Sequence, residues 1–325
     1  VYSYLRKYNL KLNGGKDSTA SNGFLNLDGS ANVTAIANAT YQYLVYNKEI
    51  REVVYPKFIF NYMIDWTQNV KVIDAMYLLA DRLKRAMHIA HCPSVRLNET
   101  GLSQDYSKEN DLICREQYLT RSSYNTMLYS SQNNREHYDP ETKLSHRLPS
   151  SFYALLNHLY IDNSSLGITE PVANIEKGII RTQTLKLSHE LYSEDIAELR
   201  KQQINCIVSD GNTNYFIDQI TSYKKKSKLS LGNVVKTIQY LQVLIPAKLK
   251  PYLQKKETDP AITTNAMNEL QEILKPYKVN VNSKDAIFKT VVIKQSFNDN
   301  VLQLLLRLNP AGTTEKIEVP IIVEG

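Results

Sequence analysis

The chain has 325 residues, 42% of them hydrophobic, enough for two or three domains with a sizeable core. Its formal charge is +6, and its one dense basic run, Lys224-Lys225-Lys226-Ser227-Lys228, is narrower than a nucleic-acid-binding face and reads as a solvated loop. No apolar run approaches the ~18–20 residues of a membrane span, and Cys92, Cys114 and Cys206 form no C-x-x-C pair, which excludes a disulfide framework and fits a reducing compartment.

Residues 1–31 are polar and turn-rich around Gly14-Gly15-Lys16-Asp17, and small or apolar residues recur at helical spacing from Val33 to Val45. Pro56 to Ile64 is rich in β-formers and predicts a buried strand. Between Asn69 and Ala90, Val70, Ile73, Tyr77, Ala80, Leu83 and Met87 repeat every three or four residues, which predicts a helix that stops before Pro93. Residues 94–121 are polar and irregular, Tyr124 to Tyr129 predicts a strand, and 130–147 reads as a hydrophilic loop. Ser150 is placed to cap a helix running to about Tyr160, and Gly178 to Leu187 alternates as a strand would. Ser193-Glu194-Asp195 opens a helix, by capping and by placing acids at the positive dipole end. Ile204 to Val208 is a strand, Asp210-Gly211-Asn212 a turn, and Tyr215-Phe216-Ile217 the returning strand. Val234, Ile238, Leu241, Ile245 and Leu249 mark a long helix with Pro246 near its last turn, and Pro260 to Leu274 a second one ended by Pro276. The tail is β: Ile287 to Lys294, a turn at Asn298-Asp299-Asn300, Val301 to Leu308, and Ile317 to Val323.

The residues that could carry chemistry are better explained structurally. Gly14-Gly15-Lys16-Asp17-Ser18 lacks the spacing of a phosphate loop and puts Asp17 where a hydroxyl should hold magnesium. His88 and His91, with Cys92 beside them, would face one ion from a helix end, yet a zinc site needs three or four ligands. Ser150 and Ser151 lack a G-x-S-x-G elbow, Asp162, Glu170 and Asp210 form no paired-acid pattern, and His189-Glu190 lacks the second histidine of H-E-x-x-H. We therefore nominate no catalytic, cofactor-binding or metal residue.

Ser122 to Ile180 is the most informative stretch. It holds Ser122-Ser123-Tyr124-Asn125-Thr126-Met127-Leu128-Tyr129, then Leu148-Pro149-Ser150-Ser151-Phe152, then Leu166-Gly167-Ile168-Thr169-Glu170-Pro171-Val172-Ala173-Asn174, then Lys177-Gly178-Ile179-Ile180. In order and spacing this resembles the core of contractile tail sheath proteins of long-tailed (myovirus-type) bacteriophages, giant phiKZ-like phages among them: an S-x-Y-x-x-x-Y strand, a P-P-S-x-x-x-A helix start, a G-x-x-x-x-P-A-N loop and a glycine-bearing strand. Leu148-Pro149 replaces the double proline and Val172 is inserted before Ala173-Asn174. Ile204-Asn205-Cys206-Ile207-Val208 followed by Thr221 is similar to the family's G-I-N strand and its threonine, and the closing helix pair and meander also resemble the family.

The resemblance implies an α/β (α+β mixed) fold: a sheath core with a mixed sheet flanked by helices, then a C-terminal helix-pair and β-meander unit. The expected division is 1–50 for the polar N-terminal segment and first helix, 51–231 for the core and 232–325 for the C-terminal domain, with a further part expected upstream of Val1. It implies a non-enzymatic subunit, without cofactor, that polymerises as a six-fold helical array around a tail tube protein and contracts to drive the tube through the host envelope. Further implied partners are itself, baseplate and tail terminator proteins, with no nucleic acid and no membrane insertion; the implied location is the virion tail, assembled in the host cytoplasm. Terminal arms would add strands to a neighbour's sheet, and Ile317, Val319, Ile321 and Val323 are the candidate inter-subunit strand, with closure of the chain's own sheet the even alternative. The helix at 233–250 or the one at 260–276 is expected to face the tube, with Lys248, Lys250, Lys255 and Lys256 as candidate contacts to an acidic tube surface. The alternatives are a sheath of a tailocin or type VI secretion-like injection machine and, in another class, an α/β hydrolase-type enzyme.

Overall fold

The computed structural model describes residues 61–64, 68–83, 86–98, 101–139, 143–164, 167–181, 185–211, 213–225, 227–252, 260–278, 287–298, 301–310 and 317–323, together with Ala35. The expected turn at Gly14–Asp17, nearly all of the expected first helix, Lys255 and Lys256 lie outside these residues.

The core is a parallel sheet in the order β1 (Asn61–Ile64), β2 (Ala86–His91), β5 (Thr126–Tyr129) and β8 (Ile204–Asn205). Helix α1 (Val70–Leu83) makes the β1–β2 crossover, and Ile73, Tyr77 and Ala80 turn its buried stripe onto the sheet. Here the expectation of one helix from Asn69 to Ala90 is corrected. The helix ends at Leu83, and Ala86–His91 is a central strand. All six residues of β2 are buried, so the strand shows no polar–apolar alternation and its Met87 happens to extend the helical period.

The segments expected to be irregular are ordered around polar groups. Val95–Asn98 (β3) and Gly101–Gln104 (β4) form a hairpin, and Ser107 accepts a hydrogen bond from the Asn110 N–H to cap α2 (Lys108–Ile113), which runs into a π-helical turn at Cys114–Tyr118. The buried face of this helix is Asn110, Asp111, Cys114 and Arg115, a helical spacing with almost no apolar residue in it, which hides it from a hydrophobic pattern. The loop expected at 130–147 is a second hairpin, β6 (Asn133–Asp139) with β7 (Leu144–Pro149), and β6 (NNREHYD) carries no aliphatic residue.

Helix α3 (Ser150–Asp162) covers the other face of the sheet. Its N-cap is Pro149, not Ser150; the Ser150 hydroxyl donates instead to the Ser130 carbonyl at 2.6 Å, tying the helix start to the end of β5. A single turn, α4 (Asn174–Lys177), follows, and the expected strand from Gly178 to Leu187 reduces, among the described residues, to isolated bridges at Ile179, which pairs with Tyr215, and at Leu187. Helix α5 (Ser193–Lys201) starts with the expected acids, but its N-cap is Tyr192, whose N–H donates to the Asp195 carboxylate at 2.9 Å. The expected strand Ile204–Val208 divides at Cys206: β8 stays in the parallel sheet, while β9 (Ile207–Ser209) pairs with β10 (Asn214–Phe216) in a hairpin.

The C-terminal part follows the expected pattern closely. Helices α6 (Gly232–Leu249) and α7 (Pro260–Leu274) pack beside an antiparallel meander of β11 (Phe288–Asn298), β12 (Val301–Pro310) and β13 (Ile317–Val323). Leu241, Ile245, Leu270, Leu274, Phe288, Leu306 and Leu308 form their common core. Helix α6 belongs to both halves: Val234 and Ile238 enter this core, whereas Val235 enters the core between α3 and the parallel sheet.

Candidate functional site

The motif residues sit where backbone geometry needs them. Gly167 has φ +84° and Asn174 φ +67°, the left-handed region that glycine and asparagine tolerate. The Asn174 side chain accepts from the Glu176 and Lys177 N–H groups and so opens α4, while the Val172 N–H donates to Gln219 at 2.7 Å. At Gly178 an added Cβ would lie 2.4 Å from the Phe216 carbonyl oxygen and 2.8 Å from that of Asn174, so a side chain is excluded by its neighbours. Buried Asn205 donates to the carbonyls of Leu128 and Ile220 and accepts from the Ile220 N–H, joining β5 to the loop after β10. Thr221 is buried and donates to the Leu229 carbonyl. These stretches are scaffold: they hold strand ends and loops against the sheet.

The groups screened for catalysis are dispersed. In strand β2, His88 and His91 are three residues apart and so lie on opposite faces. His88 meets Tyr77 edge-on and lies 3.4 Å from the Thr126 hydroxyl; His91 lies 3.3 Å from that of Ser151. The placement of both at a helix end is thereby corrected, and among the described residues no group of three or more His, Cys, Asp or Glu is arranged to hold a metal. Glu170 pairs with Lys177 and Asp210 accepts from the Thr213 N–H. The three cysteines are buried, and burial pushes the Cys206 thiol up to about 12. Among the described residues no helix is long and apolar enough to cross a membrane.

Two buried polar centres escaped the sequence pattern. The Arg115 guanidinium donates to the main-chain carbonyls of Leu119, Gln202, Arg121 and Ser222, gathering three loops around one side chain. Fully buried Lys236 of α6 donates to Asp162 of α3 at 2.7 Å, and Asp162 also accepts from Tyr62 of β1. His158 lies beside them, 3.3 Å from the Tyr129 hydroxyl, and burial with Lys236 nearby holds its pKa well below the usual histidine value. Lys236 follows two valines in a run otherwise read as an apolar stripe, and that position was its one signal.

The expected assembly residues lie at the C-terminal end. Lys248 and Lys250 are exposed around the last turn of α6, where positive charge also suits the helix dipole. Strand β13 pairs with β12 from Leu302↔Val323 to Leu308↔Ile317 and stands at one edge of the meander. Pro320 is opposite Leu305, and an edge is where a residue without an N–H is tolerated.

This arrangement, a parallel sheet between helices followed by a helix pair and a three-stranded meander, is similar in fold to solved contractile sheath proteins. The sheath of the anti-feeding prophage in its contracted state aligns with a TM-score of 0.55 at 14% identity, covering 85% of this chain and 74% of that one. The sheath tail proteins of Desulfitobacterium hafniense and Listeria innocua align with TM-scores of 0.53 and 0.52, at 8% and 12% identity, over 91% and 88% of this chain. The chain spans 61% and 60% of the length of those two proteins, and 66% of a chain of the anti-feeding prophage baseplate that it matches with a TM-score of 0.55. No family profile matches the chain, and no curated protein matches it in sequence.

Proposed function

We infer that this chain is a subunit of a contractile sheath that polymerises helically around an inner tube and shortens to drive the tube forward. The observation that carries the reading is the joint presence of core and closing unit in one alignment, which runs over 91% of the chain against a sheath tail protein. In that reading the domains are 51–231 and 232–325, the latter beginning at α6, and 1–50 supplies a leading segment. The edge of β13 offers main-chain hydrogen bonds to a strand from a neighbour, so the link survives while the bodies rotate. Lys248 and Lys250 of α6 are the described part of the proposed tube contact, and Lys255 and Lys256 extend it. The role is mechanical, not enzymatic.

Within this class we propose a bacteriophage virion tail, assembled in the host cytoplasm with baseplate and terminator proteins. An extracellular injection machine is the second reading, favoured by the likeness to an injection-system sheath in its contracted state (TM-score 0.50, 12% identity). Negative-stain microscopy of the protein with its tube protein tests the function. Striated tubes with six-fold symmetry are expected; a sample that stays a small oligomer under all conditions would sink the reading. Reversing Lys248 and Lys250 to Glu should weaken tube association by about tenfold, ~1.4 kcal/mol, with unchanged thermal unfolding of the isolated subunit. Undiminished co-assembly would remove these lysines from the contact.

A further inference from the structure

We propose that the groove beside α3 receives Tyr192 of a second copy of this chain, in a head-to-tail contact that repeats along the polymer. The proposal deepens the sheath reading and rests on it. On α3, Leu156 and Tyr160 are 47% and 54% exposed, unusual for large apolar residues on a helix that also covers a sheet. They border a concavity of about 380 Å³ walled by Phe152 and Ile180. Arg181 stands at its rim, its guanidinium carbon 3.8 Å from the centre of the Tyr160 ring. An apolar hollow with a cation at its edge is matched by an aromatic ring with carboxylates beside it.

Tyr192 is such a group. It is 75% exposed, and exposed Glu190 and Glu194 stand two residues to either side. Its backbone is held by the hydrogen bond to Asp195, while Leu191 and Ile196 pack into the core beneath. The ring is therefore presented on a fixed base, so docking orders only its own two torsions.

The two surfaces belong to opposite sides of the parallel sheet. Helix α3 packs on the side of Met87, Ile89, Met127 and Tyr129, whereas the residues around Tyr192 pack on the side of Ala90, Leu128 and Ile204. A single copy cannot bring ring and groove together. Two copies can, and the contact then leaves a free ring at one end and a free groove at the other. Such a heterologous contact repeats from copy to copy, as a ring or an open helix, and does not close as a symmetric dimer.

Two variants with one added cysteine each, Tyr192→Cys and Leu156→Cys, test this when mixed under mild oxidation. A covalent dimer is expected from the mixture and from neither variant alone. The native cysteines are buried, and the unsubstituted chain measures their background. Tyr118→Cys, at an exposed position elsewhere, should give no product with Leu156→Cys. Tyr192→Ala should cut sedimentable polymer by about tenfold or more, as loss of an interface anchor does, and Tyr192→Phe should retain most of it. Tubes from the unsubstituted chain without the 192–156 product would overturn the groove contact and leave the sheath reading intact. Products from either variant alone would overturn it too, because they signify a symmetric pair. So would a Leu156→Cys thiol protected from reagent in the monomer, since another segment of the same chain would then fill the groove. The mixed product without tubes would support the contact and sink the sheath reading; neither tubes nor product would sink both.

Discussion

Lys236, Asp162 and Tyr62 connect three elements through two hydrogen bonds, with Lys236 fully buried and Asp162 mostly so. Removing one partner strands the other's charge, so Lys236→Met should cost about 3–5 kcal/mol in urea unfolding. Lys236→Met with Asp162→Asn should recover most of that, because Asn keeps an acceptor for Tyr62 and carries no charge; equal losses for single and double variants would show that the pair itself matters little. His158 makes the same site sensitive to acid. Its folded pKa is depressed and its unfolded pKa is about 6.5, so below that value only the unfolded chain takes up the proton. The contribution is present in full above pH 6.5 and is lost as pH falls through the window beneath it. There His158→Gln should flatten the dependence of stability on pH by about 1.4 kcal/mol per pH unit. An unchanged slope would mean that His158 is protonated in the folded protein.

Among the elements, the bridge at Gly178 shows best how a short motif does its work. Its carbonyl accepts from the Phe216 N–H and from Asn157 of α3, and a Cβ there would strike main-chain oxygen. Gly178→Ala should therefore destabilise by about 1–3 kcal/mol without altering overall helix content, as circular dichroism and thermal unfolding would register. The start of α1, α6 and α7 were legible from an apolar stripe of one period, α3 and α5 from the residues at their starts, and β5, β8, the β9–β10 hairpin and the meander from β-forming runs and turn residues. Strand β2 was lost into α1 because a strand buried on both faces has no alternation to distinguish it. Helix α2 and hairpin β6–β7 were lost for the opposite reason, since Asn110, Asp111 and Arg115 bury polar groups and β6 is polar along its length. For the candidate site, the lysines of α6 and the edge strand could be nominated from order and resemblance. The groove at α3 could not, because it is made by Arg181 and Ile180 meeting a helix whose exposed side looks like any other apolar position in a linear string.

At the scale of the whole molecule, the expected boundary at 231/232 falls where α6 begins, and α6 serves both cores. Beyond Val235 and Lys236, Gln239 donates to the Ala86 carbonyl and the Asn125 side chain, so two successive turns of this helix are engaged with the parallel-sheet half. Its other side is engaged with α7 and the meander. A calorimetric scan should accordingly show one transition for the two halves, and two separated peaks would contradict their coupling.

The same helix decides how force travels. Strand β13 lies against α6 as well as pairing with β12, and α6 is anchored at its first turns in the wall of the parallel sheet. It is built as an axle seated in two bearings. In the sheath proposed above, a torque delivered to the edge of the meander by a neighbouring subunit would turn the whole body with little slack, and the energy of a shortening lattice would appear as rotation of intact subunits instead of being dissipated in bending between their halves.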